Sequence, residues 1–376
     1  MGMYGLKSML KVPTQVVFGD NTIEELGSHA KKFGKRVLLI YGGNSIFKSG
    51  NYDRVTETLR REGLEIKEYG GITHDPDEDL VQRAVENALS ANPDVIVGIG
   101  GGSVIDIAKA VSVMATNGGT VSDYWGGREF TRPSIPMIAI PTTSGTGAEV
   151  TKNAVISNKE KTFKKSIRTD YMTPEIAIID PTLTLTVPPE VTIDTGLDAL
   201  IQNLEAFTSK NAGPITDTLA IKGIELGAKY LPIAVENPDN LEAREALSLG
   251  SLFGGITLGN AGLGLAHGLS HPIGIKYGIP HGRACAIVMP KVIEYNYPAR
   301  KEKYDKIAGL FGEECDAVSG FRKFLDKLGV SYKLRDYGVK KEDFPMIIEY
   351  SKGGSRNFNP IPHSDETVYK MLEEMY

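Results

Sequence analysis

Val95-Ile-Val-Gly-Ile99 runs without a polar residue into Gly100-Gly-Gly-Ser103 and then into a helical pattern through Lys109 and Met114. A short apolar run of this kind, bounded by turn residues, reads as a buried strand. The same unit recurs along the first half of the chain. Val37-Leu-Leu-Ile-Tyr41 is a strand ending in Gly42-Gly43 and followed by a helix through Tyr52-Asp-Arg-Val-Thr-Glu-Thr-Leu59. Leu64 to Tyr69 is a further strand, and a helix begins after Pro76 with Asp77, Glu78 and Asp79 in its first turn, where the helix dipole favours negative charge. Met137-Ile-Ala-Ile140 runs into Pro141-Thr-Thr-Ser-Gly-Thr-Gly147, and Ile176-Ala-Ile-Ile-Asp180 follows. Strands alternating with amphipathic helices imply an α/β domain with a largely parallel sheet. Beyond the Pro188-Pro189 doublet the pattern is helical, with Leu197, Leu200, Ile201, Leu204 and Phe207 on one apolar stripe. The organisation expected is an α/β domain over residues 1–186 and an all-α domain over 187–376.

The loops after the strands carry the first chemistry. Gly100-Gly-Gly-Ser103 lies between a strand and a helix, where a backbone without β-carbons can approach a pyrophosphate and the free amides of the helix start favour anions. It departs from the Gly-x-Gly-x-x-Gly fingerprint of an ordinary Rossmann unit. Asp106, one turn on, can bind a ribose or a loop amide, or serve as an early-turn carboxylate. Thr142, Thr143 and Thr146 offer hydroxyls at the end of another strand, a composition that also suits a plain turn. Two such loops suit a dinucleotide. Tyr41-Gly-Gly-Asn-Ser45 lacks the acidic residue that usually holds the 2′-hydroxyl of NAD; Gly42, Gly43, Ser45 and Lys48 suit a 2′-phosphate instead. NADP(H) is therefore the expected cofactor, with NAD(H) as the alternative.

The second half carries a cluster of a different kind. His267-Gly-Leu-Ser-His271-Pro272 and Pro280-His281-Gly282 concentrate three of the six histidines, and Asp198-Ala-Leu-Ile-Gln202 precedes them. Residues four apart share a helix face, so Asp198 and Gln202 can converge, as can His267 and His271. A carboxylate with imidazoles suits a catalytic divalent metal that keeps a position open. Pro272 is expected to end a helix just after His271.

With 376 residues, 41% hydrophobic and 24% charged, the chain has the composition of a globular protein large enough for two cores. A net charge of −5 with no basic stripe argues against nucleic acid. Cys285 and Cys315 form no Cys-x-x-Cys pair, which argues against a disulfide framework and against a thiolate zinc site. The N-terminus does not read as a signal peptide, so a cytoplasmic location is expected. Ala246 to Ala266 is uncharged and long enough to cross a bilayer, but its six glycines, two serines, Thr257 and Asn260 make it a buried helix or helix pair, not a span. Trp125 and Phe130 read as packing residues in a loop.

Taken together, these motifs resemble the iron-containing (group III) alcohol dehydrogenase family over nearly the whole chain. Val17-Phe-Gly-Asp20, Gly100-Gly-Gly-Ser-Val-Ile-Asp-Ile-Ala-Lys109, Ile140-Pro-Thr-Thr-Ser-Gly-Thr-Gly-Ala-Glu-Val150, Gly196-Leu-Asp-Ala-Leu200, His267-Gly-Leu-Ser-His-Pro272 and Pro280-His-Gly282 occur in the family's order. The resemblance implies a dinucleotide-binding α/β domain, a helical domain and an active site in the cleft between them. It places metal ligands at Asp198, His267 and His281 and a fourth at Gln202, where members usually have histidine. A neutral amide oxygen is a poorer ligand for Fe²⁺ or Zn²⁺ than imidazole, although similar glycerol dehydrogenases manage with one aspartate and two histidines. The cofactor phosphates would lie at Gly100, Gly101 and Ser103, with further contacts at Thr142, Thr143, Thr146 and Lys164, and His271 near the nicotinamide.

The implied activity is reversible hydride transfer between NAD(P)H and a small aldehyde or primary alcohol, with the metal polarising the substrate oxygen and His271 either shuttling a proton or packing the cofactor. Family members are commonly homodimers or larger. The rivals are a metal- and NAD-dependent lyase or cyclase of the dehydroquinate synthase type, and a metal-free nucleotide-binding protein. The first needs a basic site for a sugar phosphate, whereas only Lys276 and Arg283 are near the cluster in sequence.

Overall fold

Eight strands occur among the residues described by the computed structural model, which are 9–72, 76–160, 163–312 and 316–376: β1 (Gln15–Phe18), β2 (Arg36–Gly42), β3 (Glu65–Ile72), β4 (Val95–Gly100), β5 (Met137–Pro141), β6 (Asn153–Ser157), β7 (Lys164–Arg168) and β8 (Ile176–Ile179). Cys315 lies outside the described residues. Six of the strands form one parallel sheet in the order β1-β8-β5-β4-β2-β3. All of β4, β5 and β8 is buried, which explains their uninterrupted apolar sequences.

The helices of this part are α1 (Leu26–Ala30), α2 (Ser45–Lys48), α3 (Asn51–Arg61), α4 (Glu78–Ala91), α5 (Gly102–Asn117) and α6 (Val121–Trp125). From β2 the chain adds β3 on one side and then β4, β5 and β8 on the other, so the strand order reverses between β2 and β4. Such a reversal is where doubly wound sheets bind ligands, outside the carboxyl ends of the strands. The loops after β2 and β4 flank that point, and Thr142 N–H donates to Gly100 O at 3.0 Å, which holds the loop after β5 beside them. A β-carbon at Gly100 would come within 2.5 Å of Val104 Cγ2, so glycine is what lets α5 follow β4 so closely.

Three strands were not visible in the sequence. β1 pairs with β8 at the sheet edge, and β6 with β7 forms a separate antiparallel hairpin. The hairpin is tied to α5 by polar contacts. Lys109, fully buried in mid-helix, donates to Ala148 O (2.9 Å), Thr151 Oγ1 (3.1 Å) and Asn153 O (2.5 Å), while Asp106 Oδ2 accepts from Val155 N–H at 2.9 Å. Trp125 packs against Phe163 and donates to Lys165 O, and Phe130 stacks on Tyr124.

The second unit holds α7 (Pro189–Thr208), α8 (Pro214–Glu236), α9 (Leu241–Ala261), α10 (Leu265–Tyr277), α11 (His281–Ala308), α12 (Ala317–Lys327), α13 (Phe344–Tyr350) and α14 (Asp365–Glu374). By contact the chain divides at Val187/Pro188, but residues 9–11 and the short piece Ser144–Thr146 join the helical unit. The apolar stripe of α7 lies in its core, and α7 packs on α8, α9 and α11. No described helix is long and apolar enough to cross a membrane by itself; α9 and α10 are bent by 110° at their break. Pro272 does not end α10 as its sequence position suggests: the helix continues to Tyr277. Burial of His267, Leu269 and Ile273 around the proline holds the turn despite the lost backbone hydrogen bond.

Glu149, beside Lys109 and 2% exposed, gives this architecture a pH signature. Burial pushes its carboxyl up to about 7, against the pull of its own backbone amide and of Lys109. A group raised in the folded state contributes stability that is complete below its unfolded value and is lost as pH rises through the folded one. Glu149→Gln is therefore expected to match the parent below about pH 4.5 and to exceed it above about pH 7, by up to about 3 kcal/mol. Urea unfolding across that range measures it, and a constant difference between the two proteins would refute it.

Candidate metal centre

Three helices supply the cluster: α7 carries Asp198, Gln202 and Glu205, α10 carries His267 and His271, and α11 carries His281 with Cys285 one turn on. Gly282 brings α11 against α7, because a β-carbon there would stand 1.8 Å from Asp194 O and 2.8 Å from Asp198 N. That approach places His281 Nε2 3.8 Å and His267 Nε2 3.2 Å from Asp198 Oδ1. Cys285 Sγ is 3.9 Å from His281 Nε2. One ligand atom from each of Asp198, His267, His281 and Cys285 lies within 4.8 Å of the others. Asp198, His267 and Cys285 are at most 3% exposed, and the His281 side chain is 29% exposed.

A surrounding layer fixes these groups. Glu205 accepts from the amides of Gly264 (3.0 Å), Ala266 (2.7 Å) and His267 (3.3 Å) and from His267 Nδ1–H at 2.7 Å. The last bond turns Nε2 of His267 toward Asp198, the carboxylate–histidine arrangement that orients metal ligands. Ser270 Oγ sits 3.3 Å from His281 Nδ1, which likewise leaves Nε2 facing the cluster. Electrostatics follow from the packing. Burial would raise the Asp198 carboxyl, but His281, His267 and Gln202 hold it below its ordinary value. Burial also opposes charge on the imidazoles, yet Cys285 and Asp198 raise both, with Glu205 adding to His267. Burial pushes the Cys285 thiol up, and the two histidines outweigh it, bringing it to about 7.

The expected residues separate into three groups. Asp198, His267 and His281 come together. His271 does not join the convergent atoms as its spacing from His267 suggests; its ring stacks on His281 at 4.9 Å. Gln202 reaches the cluster with its N–H₂, donating to Asp198 Oδ1 (3.2 Å) and Thr146 O (3.4 Å), while its buried Oε1 has no hydrogen-bond partner. Sequence reasoning missed two residues. Glu205 lies seven positions after Asp198, on the same face of α7, and Cys285 lies four after His281, so helical spacing held a signal for each. The absence of a Cys-x-x-Cys pair argued against a thiolate zinc site, yet the close approach of α11 to α7 places the Cys285 sulfur among the convergent donor atoms. A carboxylate, two imidazoles and a thiol are the donor types that a divalent transition metal takes, so the residues fit one.

The cofactor candidates belong mostly to the α/β unit. Gly42 ends β2 and Ser45 opens α2; Gly100, Gly101 and Ser103 join β4 to α5, whose first turn has no side-chain cap at Gly101. Thr142 and Thr143 follow β5, whereas Thr146 packs with the helical unit, and Lys164 opens β7. Asp106 is engaged within the protein, at 3.2 Å from Lys109 Nζ and on the Val155 amide.

Glu205→Gln is expected to lower metal affinity by roughly 10–100-fold, as read by chelator competition, and to lower the unfolding midpoint as well, because the amide keeps only one of the two oxygens that accept from the start of α10. Gly282→Ala should destabilise the helical unit by about 3 kcal/mol or more through the clash with α7, and an unchanged urea midpoint would refute the close-approach account.

Comparison with known proteins agrees in both halves. Residues 13–181 match the family profile described as iron-containing alcohol dehydrogenase, and residues 192–376 match that of the C-terminal part of the Fe-containing alcohol dehydrogenase family. The chain is 34% identical to the NAD-dependent methanol dehydrogenase of Bacillus methanolicus, over 89% of its own length and 91% of the relative's. It is 34% identical to the 1,3-propanediol dehydrogenase of Citrobacter freundii, over 97% and 98%. The solved alcohol dehydrogenase from Oenococcus oeni superposes with a TM-score of 0.93 at 30% identity, covering 98% of this chain and all of that one (100%). With the parallel sheet, the helical unit and the Asp198–His267–His281 cluster already in place, these matches along the whole chain make it a member of the iron-containing alcohol dehydrogenase family.

Proposed function

We propose that this protein is a metal-dependent alcohol dehydrogenase and aldehyde reductase acting on short primary alcohols and their aldehydes. The observation that carries the reading is the convergence of Asp198, His267 and His281 on one point with Glu205 fixing the first histidine. When bound there, a divalent ion supplies Lewis acidity toward an alcohol or carbonyl oxygen. Asp198 would provide the anionic ligand, and the partly exposed edge of His281 is where the cluster meets the outside. His271, stacked on His281, is the group assigned to exchange the alcohol proton, a task suited to an imidazole near neutral pH. The glycine loops after β2 and β4 are assigned to the dinucleotide. The lack of an acidic residue over Gly42–Lys48 favours NADP(H), while the NAD-dependent relative favours NAD(H). Methanol and 1,3-propanediol, named for two relatives, mark the size of substrate expected.

The lyase reading is not favoured. Its sugar phosphate would need free cations, and the two nearest in sequence are paired: Arg283 Nε with Asp194 at 2.7 Å and Lys276 with Asp343 at 3.8 Å. The direct test is oxidation of NADPH and of NADH against a panel of short aldehydes, on protein stripped of metal and reloaded in parallel. Activity should vanish on stripping and return on reloading. Asp198→Asn should lose more than the roughly 10–100-fold that follows from disturbing an outer-shell partner. Turnover that survives stripping would overturn the proposal.

A further inference from the structure

We infer that Cys285 is the fourth protein ligand of the metal centre, a thiolate in the place that Gln202 leaves unfilled, and that this makes the centre a zinc site and not an iron site. The inference rests on the metal-dependent reading above and adds the ligand set and the ion.

Three observations carry it. Cys285 follows His281 by one helical turn, so both side chains leave the same face of α11, and the sulfur belongs to the set of four donor atoms within 4.8 Å of one another. Gln202 occupies the corresponding turn of α7 after Asp198 but presents hydrogen-bond donors to the cluster. Its N–H₂ already serves Asp198 Oδ1 and Thr146 O, and its Oε1 points at α9, where a β-carbon on Gly254 would stand 3.0 Å away. Turning the amide over to offer oxygen would give up both of those donated bonds. Finally, the donor set discriminates between ions. Asp198, His267 and His281 alone are two histidines and one carboxylate, a set that suits Fe²⁺ with open positions. Adding a thiolate converts it to four ligands of the types that bind Zn²⁺, and thiolate selects the softer ion. Cys285 is wholly buried, which leaves its sulfur inside the cluster.

The test uses the full-length protein, stripped and reloaded with Zn²⁺, and reads the ligands by X-ray absorption at the zinc edge. The expected result is one sulfur scatterer at about 2.3 Å beside nitrogen and oxygen at about 2.0–2.2 Å. Cys285→Ser should lose the sulfur shell and Gln202→Ala should keep it. Loading with Co²⁺ gives an independent reading: a sulfur-to-cobalt charge-transfer band in the parent and in Gln202→Ala, absent from Cys285→Ser. In competition between Zn²⁺ and Fe²⁺ under anaerobic conditions, the preference for zinc should narrow in Cys285→Ser; zinc outranks iron at most sites, so the narrowing is the informative part. A stoichiometric metal with only nitrogen and oxygen neighbours in the parent overturns the thiolate assignment and leaves the dehydrogenase reading standing. Failure to bind any of the three ions overturns both. The parent spectrum decides the matter even if a variant does not fold.

Discussion

The helical unit is organised around one buried carboxylate. Glu205 receives three backbone amides from the loop and first turn that start α10 and, with the same two oxygens, the ring N–H of His267. A helix start with its amides unpaired in the interior would be costly, and a buried carboxylate without donors more so; each removes the other's penalty. The position of His267 follows from that satisfaction, since both the backbone and the ring of this residue are held by Glu205. Gly282 sets the other half of the geometry by letting α11 touch the backbone of α7. The cluster is thus fixed by main-chain constraints, with its side chains oriented by what surrounds them.

In the α/β unit a second buried ion pair does comparable work. Lys109 and Asp106, one turn apart on α5, hold the hairpin of β6 and β7 and the turn at Ala148 through bonds to backbone groups. Burial lowers the Lys109 ammonium's tendency to stay charged and raises the Asp106 carboxyl, and the mutual attraction opposes both shifts. The helix that begins at the glycine loop is therefore anchored further along by charge.

Periodicity told the fold wherever burial was two-sided. β4, β5 and β8 are apolar at every position and helices cover them, so the pattern and its cause coincide. β6 and β7 were opaque because these five-residue strands give only Ala154, Ile156 and Ile167 to the core among polar neighbours, too few to set a pattern, and β1 because it is a partly exposed edge strand. Pro272 misled for the opposite reason: the local rule is sound, but burial around the residue outweighs it. At the site, residue types that advertise chemistry were read easily. Asp198 and the histidines stood out, whereas Glu205 sat unremarked within an apolar stripe and Cys285 was judged by the spacing of the two cysteines when its spacing from His281 was the useful quantity.

The cluster is unevenly buried. Asp198 and His267 lie inside the unit, while His281 opens α11 and is the one of the four convergent residues with a partly solvent-exposed side chain. That exposure does not come from a loose helix end: Gly282, Ala284 and Cys285 just after it are buried, and Gly282 lies against the backbone of α7. Whatever reaches the cluster from outside therefore meets the imidazole of His281 first, on a helical turn that its packing keeps wound.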